Sequence, residues 1–89
     1  MTEANDLRTN RIRRLIYQAS YTGMKETDLL LGHFAAAHLA GLDDQGLDDF
    51  EALLDAGDDR IYAWVMGNES VPAVYDTPVF GLIKSFKEI

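Results

Sequence analysis

Apolar residues recur along this chain at helical spacing, and glycines and acidic residues punctuate the runs. In the first run Ile12, Leu15, Ile16 and Ala19 fall at i, i+3, i+4 and i+7, the buried face of one helix. That helix is expected from about Asn10, or earlier, to Tyr21, with Gly23 as its left-handed stop. A second helix is expected from about Glu26 to Leu39, ending at Gly41, with Leu30, Leu31, Phe34, Ala35 and His38 on its inner stripe. The triplet Ala35, Ala36 and Ala37 is small enough to let another helix approach closely. A third opens at Asp43 or Asp44, either able to cap free N–H groups. It presents Leu47, Phe50, Leu53 and Leu54 and closes at Gly57. A short fourth helix starts at Asp58 or Asp59, carries Ile61, Tyr62, Trp64 and Val65, and ends at Gly67. Thr77 followed by Pro78 signals the fifth, since proline's fixed φ and missing N–H suit the first helical position. Val79, Leu82, Ile83 and Phe86 line its inner side. Val71 to Tyr75 is short and interrupted by Pro72, so it reads as an extended connection. No run of strand length alternates with period two. The pattern predicts an all-α fold, a small five-helix bundle with short loops.

Eighty-nine residues make one domain, 1–89, with residues 1–9 as a candidate disordered tail. A chain this short buries only about 60–65% of the surface its unfolded form exposes. Its core is thin, and a deep catalytic pocket is not expected. The absence of cysteine excludes disulfides and thiolate metal sites and fits a reducing compartment. No apolar run reaches the roughly 18 residues of a membrane span. The polar N-terminus resembles neither a secretory signal nor a transit peptide. A cytoplasmic protein is expected, or one of the mitochondrial matrix if a presequence has been removed. The net charge of −7 argues against non-specific nucleic-acid binding. Its distribution is uneven. Arg8, Arg11, Arg13 and Arg14 are half of the basic residues, while Asp43 to Asp59 holds eight acids and no base. A basic end and an acidic flank favour oriented docking onto a complementary protein. A solvated surface with chance clustering is the plain alternative.

Little in the chain points to catalysis. His33 and His38 are five residues apart, about 500° of helical rotation, so they cannot form the i, i+4 pair that grips a metal. One of them is expected to be partly buried and hydrogen-bonded. Glu26 and Asp28 open the second helix but, two apart, do not share a face. Each is suited to stabilising the helix dipole by about 0.3–1 kcal/mol. No nucleotide-binding glycine motif or nucleophile elbow is present. Gly32 stands inside the second helix, where it costs up to about 1 kcal/mol relative to alanine. A close contact or a flat exposed face would explain it. Trp64 is expected in the core. The arginine-rich first helix keeps a second possibility open, a nucleic-acid-binding or regulatory helical protein.

The stretch Arg14-Leu15-Ile16-Tyr17-Gln18, then Gly23-Met24-Lys25-Glu26-Thr27-Asp28-Leu29-Leu30-Leu31 with Phe34, resembles the succinate dehydrogenase assembly factors. The resemblance continues through Leu47-Asp48-Asp49-Phe50-Glu51-Ala52-Leu53-Leu54 and Asp58-Asp59-Arg60-Ile61-Tyr62-Ala63-Trp64-Val65-Met66-Gly67. It implies a five-helix bundle that is not an enzyme. Such a chaperone binds the flavoprotein subunit of succinate dehydrogenase, in some cases of fumarate reductase, and promotes covalent attachment of FAD to a client histidine. It implies no cofactor of this chain's own, no metal, no nucleic acid and no membrane insertion, and a monomer when free. The family's hallmark is an exposed Arg-Gly-x-x-Glu motif. Gly23 and Glu26 stand on its Gly and Glu, but Thr22 holds the Arg position and cannot make a bidentate, charge-assisted pair. The client-binding residues implied are Gly23, Glu26 and Thr22, with Asp28, Tyr17 and Arg14 beside them.

Overall fold

The structure is a computed structural model and describes residues 3–87, with side chains from Asp6 onward. Five α-helices follow one another: α1 (Glu3–Ser20), α2 (Lys25–His38), α3 (Asp44–Asp55), α4 (Asp58–Val65) and α5 (Pro78–Lys87). Short 3-10 turns, Leu39–Gly41 and Ala73–Tyr75, sit after α2 and before α5. Among the described residues there is no strand, so the all-α bundle is the observed class.

Local chemistry sets most of the boundaries. Asp43 is extended and accepts a hydrogen bond from Gly46 N at 2.8 Å, which caps α3. Thr77 Oγ1 accepts from Phe80 N at 3.3 Å, which caps α5 ahead of Pro78. Gly57 and Gly67 carry positive φ angles of 102° and 80°, where side-chain-bearing residues are disfavoured, and they close α3 and α4. The first helix starts at Glu3, ahead of the expected Asn10, so residues 3–9 are helical rather than a tail. Arg8 supplies the reason, because its guanidinium donates to Leu42 O and to Asp44 Oδ1, tying that end of α1 to α3. Met1 and Thr2 lie outside the described residues.

The core is assembled from one face of every helix. Leu15 and Ala19 of α1 meet Leu31, Phe34 and Ala35 of α2, all essentially inaccessible to solvent. Phe34 stacks on Phe50 at a centroid separation of 5.8 Å and meets the edge of Phe86 at 5.7 Å. Trp64, 7% exposed, stacks on Tyr75 at 5.1 Å, so it is a core residue as expected. Three expectations are corrected. His38 is exposed, and Leu39 is buried in its place, because the backbone passes into a 3-10 turn that swings Leu39 inward. The His38 ring instead lies against Phe34 at 5.0 Å and Phe86 at 5.5 Å, and His33 is also exposed. On α5 Phe80 is buried while Leu82 is 44% exposed. The segment 71–75 is not simply extended, since Tyr75 N donates to Pro72 O and closes a 3-10 turn that presents Tyr75 to Trp64.

Gly32 is explained by contact. It is buried where α2 crosses α1, and a Cβ added there would lie 2.6 Å from Ser20 Oγ and 3.3 Å from Ser20 Cβ. The absence of a side chain is what lets the two helices come this close.

Candidate functional site

The α1–α2 hairpin ends in a corner whose shape is held from two sides. Gly23 has φ of +119°, and a Cβ there would approach Asp58 Oδ2 of α4 to 3.1 Å. Conformation and space both favour glycine. Met24 precedes α2 in an extended conformation and offers no capping side chain. The turn is closed instead by Asp28, whose Oδ1 accepts from Thr22 N at 2.6 Å and from Thr22 Oγ1 at 2.5 Å. The Thr22 hydroxyl, then the backbone N–H groups of Thr22 and Gly23, favour the charged carboxylate and hold its pKa below the ordinary value against partial desolvation. On the other side Thr27, 1% exposed, donates from Oγ1 to Asp58 O at 3.4 Å and seats the start of α2 on the start of α4.

These contacts sort the residues implied by the resemblance. Glu26 is exposed and makes no hydrogen bond or ion pair among the described residues. Its carboxylate stands clear of the bundle. Asp28 and Thr22 are half-buried and engage each other, so at the corner they hold shape. Tyr17 is 69% exposed and its ring lies 4.8 Å from that of Tyr21, itself 70% exposed. Arg14 is exposed on α1, with Nη2 4.0 Å from Glu51 Oε2. Thr22, Gly23 and Glu26 thus share one corner, with Asp28 behind it and Tyr17 on α1 leading into it. Sequence reasoning missed Thr27 and the aromatic partner Tyr21. The i, i+4 spacing of Tyr17 and Tyr21 is the signal that could have found the second.

The remaining arginines of α1 do something different. Arg8 pairs with Asp44 at 3.0 Å, and Arg11 with Asp48 at 2.7 Å and Glu51 at 3.0 Å. Hydrogen bonds to those two carboxylates, Asp48 foremost, raise the Arg11 pKa above its ordinary value. The basic end and part of the acidic flank therefore neutralise each other inside the molecule. An open depression of about 460 Å³ lies beside these pairs, lined by Leu7, Arg8, Arg11, Asp44, Leu47 and Asp48. A smaller one of about 220 Å³ lies between α3 and α5. Neither borders the corner. Among the described residues no group of three or more metal-ligating side chains is assembled, and no helix is long and apolar enough to cross a membrane.

Fold and corner together define a class: a small helical bundle that presents a braced, charged hairpin outward. The chain belongs to the family described as the flavinator of succinate dehydrogenase, whose match runs over residues 13–87. It is similar to proteins named succinate dehydrogenase assembly factor 2, mitochondrial. The one from Mycosarcoma maydis is 44% identical over 69 residues, 78% of this chain and 29% of that protein. The one from Meyerozyma guilliermondii is 41% identical over 71 residues, 80% of this chain and 53% of that protein. The one from Dictyostelium discoideum is 36% identical over 72 residues, 81% of this chain and 51% of that protein. The chain spans between 29% and 53% of the length of these relatives.

Proposed function

We infer that this chain is an assembly factor that binds the flavoprotein subunit of succinate dehydrogenase and promotes covalent attachment of FAD to it. The observation that carries this reading is the family match over residues 13–87, which takes in the whole corner. The geometry supports it. A carboxylate free of internal partners, on a turn braced by Thr22–Asp28 and Thr27–Asp58, is pre-organised to accept a hydrogen bond from another protein. In this reading Glu26 is the acceptor, and Gly23 lets the partner's backbone come close. Thr22 and Asp28 hold the turn, while Tyr17 and Arg14 extend the contact along α1. The chain acts without catalytic residues and as a monomer when free, and FAD stays with the flavoprotein. By binding one arrangement of that subunit better than others, the assembly factor raises the population in which histidine and flavin can react.

The test is co-expression of a succinate dehydrogenase flavoprotein subunit with and without this chain, with covalent flavin read by in-gel fluorescence. Flavin incorporation is expected to depend on the chain and to fall with Glu26→Ala while helical circular dichroism stays unchanged. Equal incorporation in its absence would refute the reading. Gly23 is a less clean probe, because a side chain there meets both an unfavourable φ and Asp58.

A further inference from the structure

We propose that the outer face of the α1–α2 hairpin, centred on the Tyr17–Tyr21 pair and Leu29, docks a flavoprotein segment of defined polarity. That segment is apolar in the middle, carries a carboxylate at the Arg13 end and a cation at the Glu26 end. The inference rests on the functional reading above and extends it from a corner to a surface.

Three observations lead to it. First, large apolar groups are exposed together on one side. Tyr17 and Tyr21 are 69% and 70% exposed, and Leu29 is 51% exposed on α2. Ser20 abuts Gly32 at the helix crossing. Tyr17 lies three residues before Ser20 and Leu29 three before Gly32, so each is the same-side neighbour of a crossing residue. The core lies on the opposite flank of both helices, through Ala19 on α1 and Leu31 on α2, which puts Tyr17 and Leu29 on a common outer face. Exposed apolar groups gathered in this way mark interaction sites. Second, the tyrosines already rest against each other at 4.8 Å, so ordering them on binding costs little. Third, the stripe is charged in opposite senses at its ends. Arg13 is exposed and, unlike Arg8 and Arg11 on the same helix, makes no ion pair among the described residues. Glu26, past the turn at the other end, is equally free. Arg13, Tyr17 and Tyr21 follow at i, i+4 and i+8, which spans about 12 Å of helix axis at 1.5 Å per residue. Most of this molecule's surface is acidic, and a partner whose polarity is the reverse of this stripe is the one that satisfies both ends.

The test titrates purified flavoprotein subunit of succinate dehydrogenase against wild type, Tyr17→Ala/Tyr21→Ala, Leu29→Ser, Arg13→Glu and Glu26→Ala, with circular dichroism reporting fold. The tyrosine double variant is expected to bind at least about tenfold more weakly, as truncated central aromatics do. Tyr17→Phe/Tyr21→Phe should keep most of the affinity. Arg13→Glu should slow association and flatten its dependence on ionic strength. Leu29→Ser tests the same face from the other helix. If Glu26→Ala weakens binding while the tyrosine, Leu29 and Arg13 variants bind like wild type, the surface is wrong and the corner reading survives. If wild type does not bind the flavoprotein at all, both fail. Wild type sedimenting as a dimer that the tyrosine variants convert to monomer would assign the face to a second copy and overturn the proposal.

Discussion

Gly32→Ala is the substitution whose sign depends most directly on the packing described above. In an exposed helix interior the change stabilises by about 1 kcal/mol through helix propensity. Here the new methyl would sit 2.6 Å from Ser20 Oγ, and 3.3 and 3.4 Å from Ser20 Cβ and Cα. The hydroxyl can rotate away only by giving up its 2.8 Å hydrogen bond to Ile16 O, worth about 1 kcal/mol. The remaining contacts then push the helices apart, and overpacking of this kind costs about 1–3 kcal/mol. The net expectation is a loss of about 1 kcal/mol, which lowers Tm by roughly 4–8 °C in a domain of this size. Urea and thermal melts followed by circular dichroism measure it. A double-mutant cycle sharpens the result. With Ser20→Ala in the background the closest clash is gone, so Gly32→Ala should be neutral or mildly stabilising there, a coupling of about 1 kcal/mol. If Gly32→Ala stabilises the wild-type chain by the full propensity gain, or has the same effect in both backgrounds, the close crossing of α1 and α2 is not what selects glycine.

Two further outcomes are expected. The Asp28 pKa is lowered from 3.8 in the folded state. Its stabilising effect is therefore complete above the unfolded value and is lost as pH falls through the lower folded one. Chemical melts should show no Asp28-dependent change between pH 7 and about 5 and a loss below about 4, and Asp28→Asn should remove that part of the acid slope. Arg11→Ala releases two carboxylates of α3 and should cost about 0.5–1 kcal/mol in melts at low ionic strength, shrinking as salt is raised.

The helix boundaries were legible where a single residue decides them. Asp43, Thr77-Pro78, Gly57 and Gly67 act on their own backbone or on N–H groups within three residues, so the chain carries the whole signal. Inner faces were legible only up to one position of rotation. His38 and Leu39 fit the α2 stripe equally well until a 3-10 turn, which follows from packing after α2, selects Leu39. Leu82 and Phe80 were ambiguous for the same reason on α5. Glu26 and Gly23 could be singled out because residue type and spacing marked a corner. That Asp28 turns back onto Thr22 could not, since it depends on the fold of the turn itself. The α1–α3 ion pairs were half-legible. Arginines three apart and carboxylates four apart have matching helical periods, but only the packing of α1 on α3 brings Arg8 and Arg11 to Asp44 and Asp48.

Thr22 raises the question of how the corner keeps its form without the arginine that the family's motif carries there. A threonine cannot reach outward to hold a carboxylate in two hydrogen bonds. It can hold one inward, and here its N–H and hydroxyl both converge on Asp28 Oδ1. The side chain that would have been a long outward cation has become part of the brace. Positive charge on this face must then come from elsewhere. Arg8 and Arg11 cannot supply it, because α3 already holds them. Arg13 is the exposed cation of α1 without an ion pair among the described residues, and Arg14 lies 4.0 Å from its nearest carboxylate. The division follows from geometry: the two arginines that share a face with the α3 carboxylates are spent on stability, and the two that do not remain for recognition.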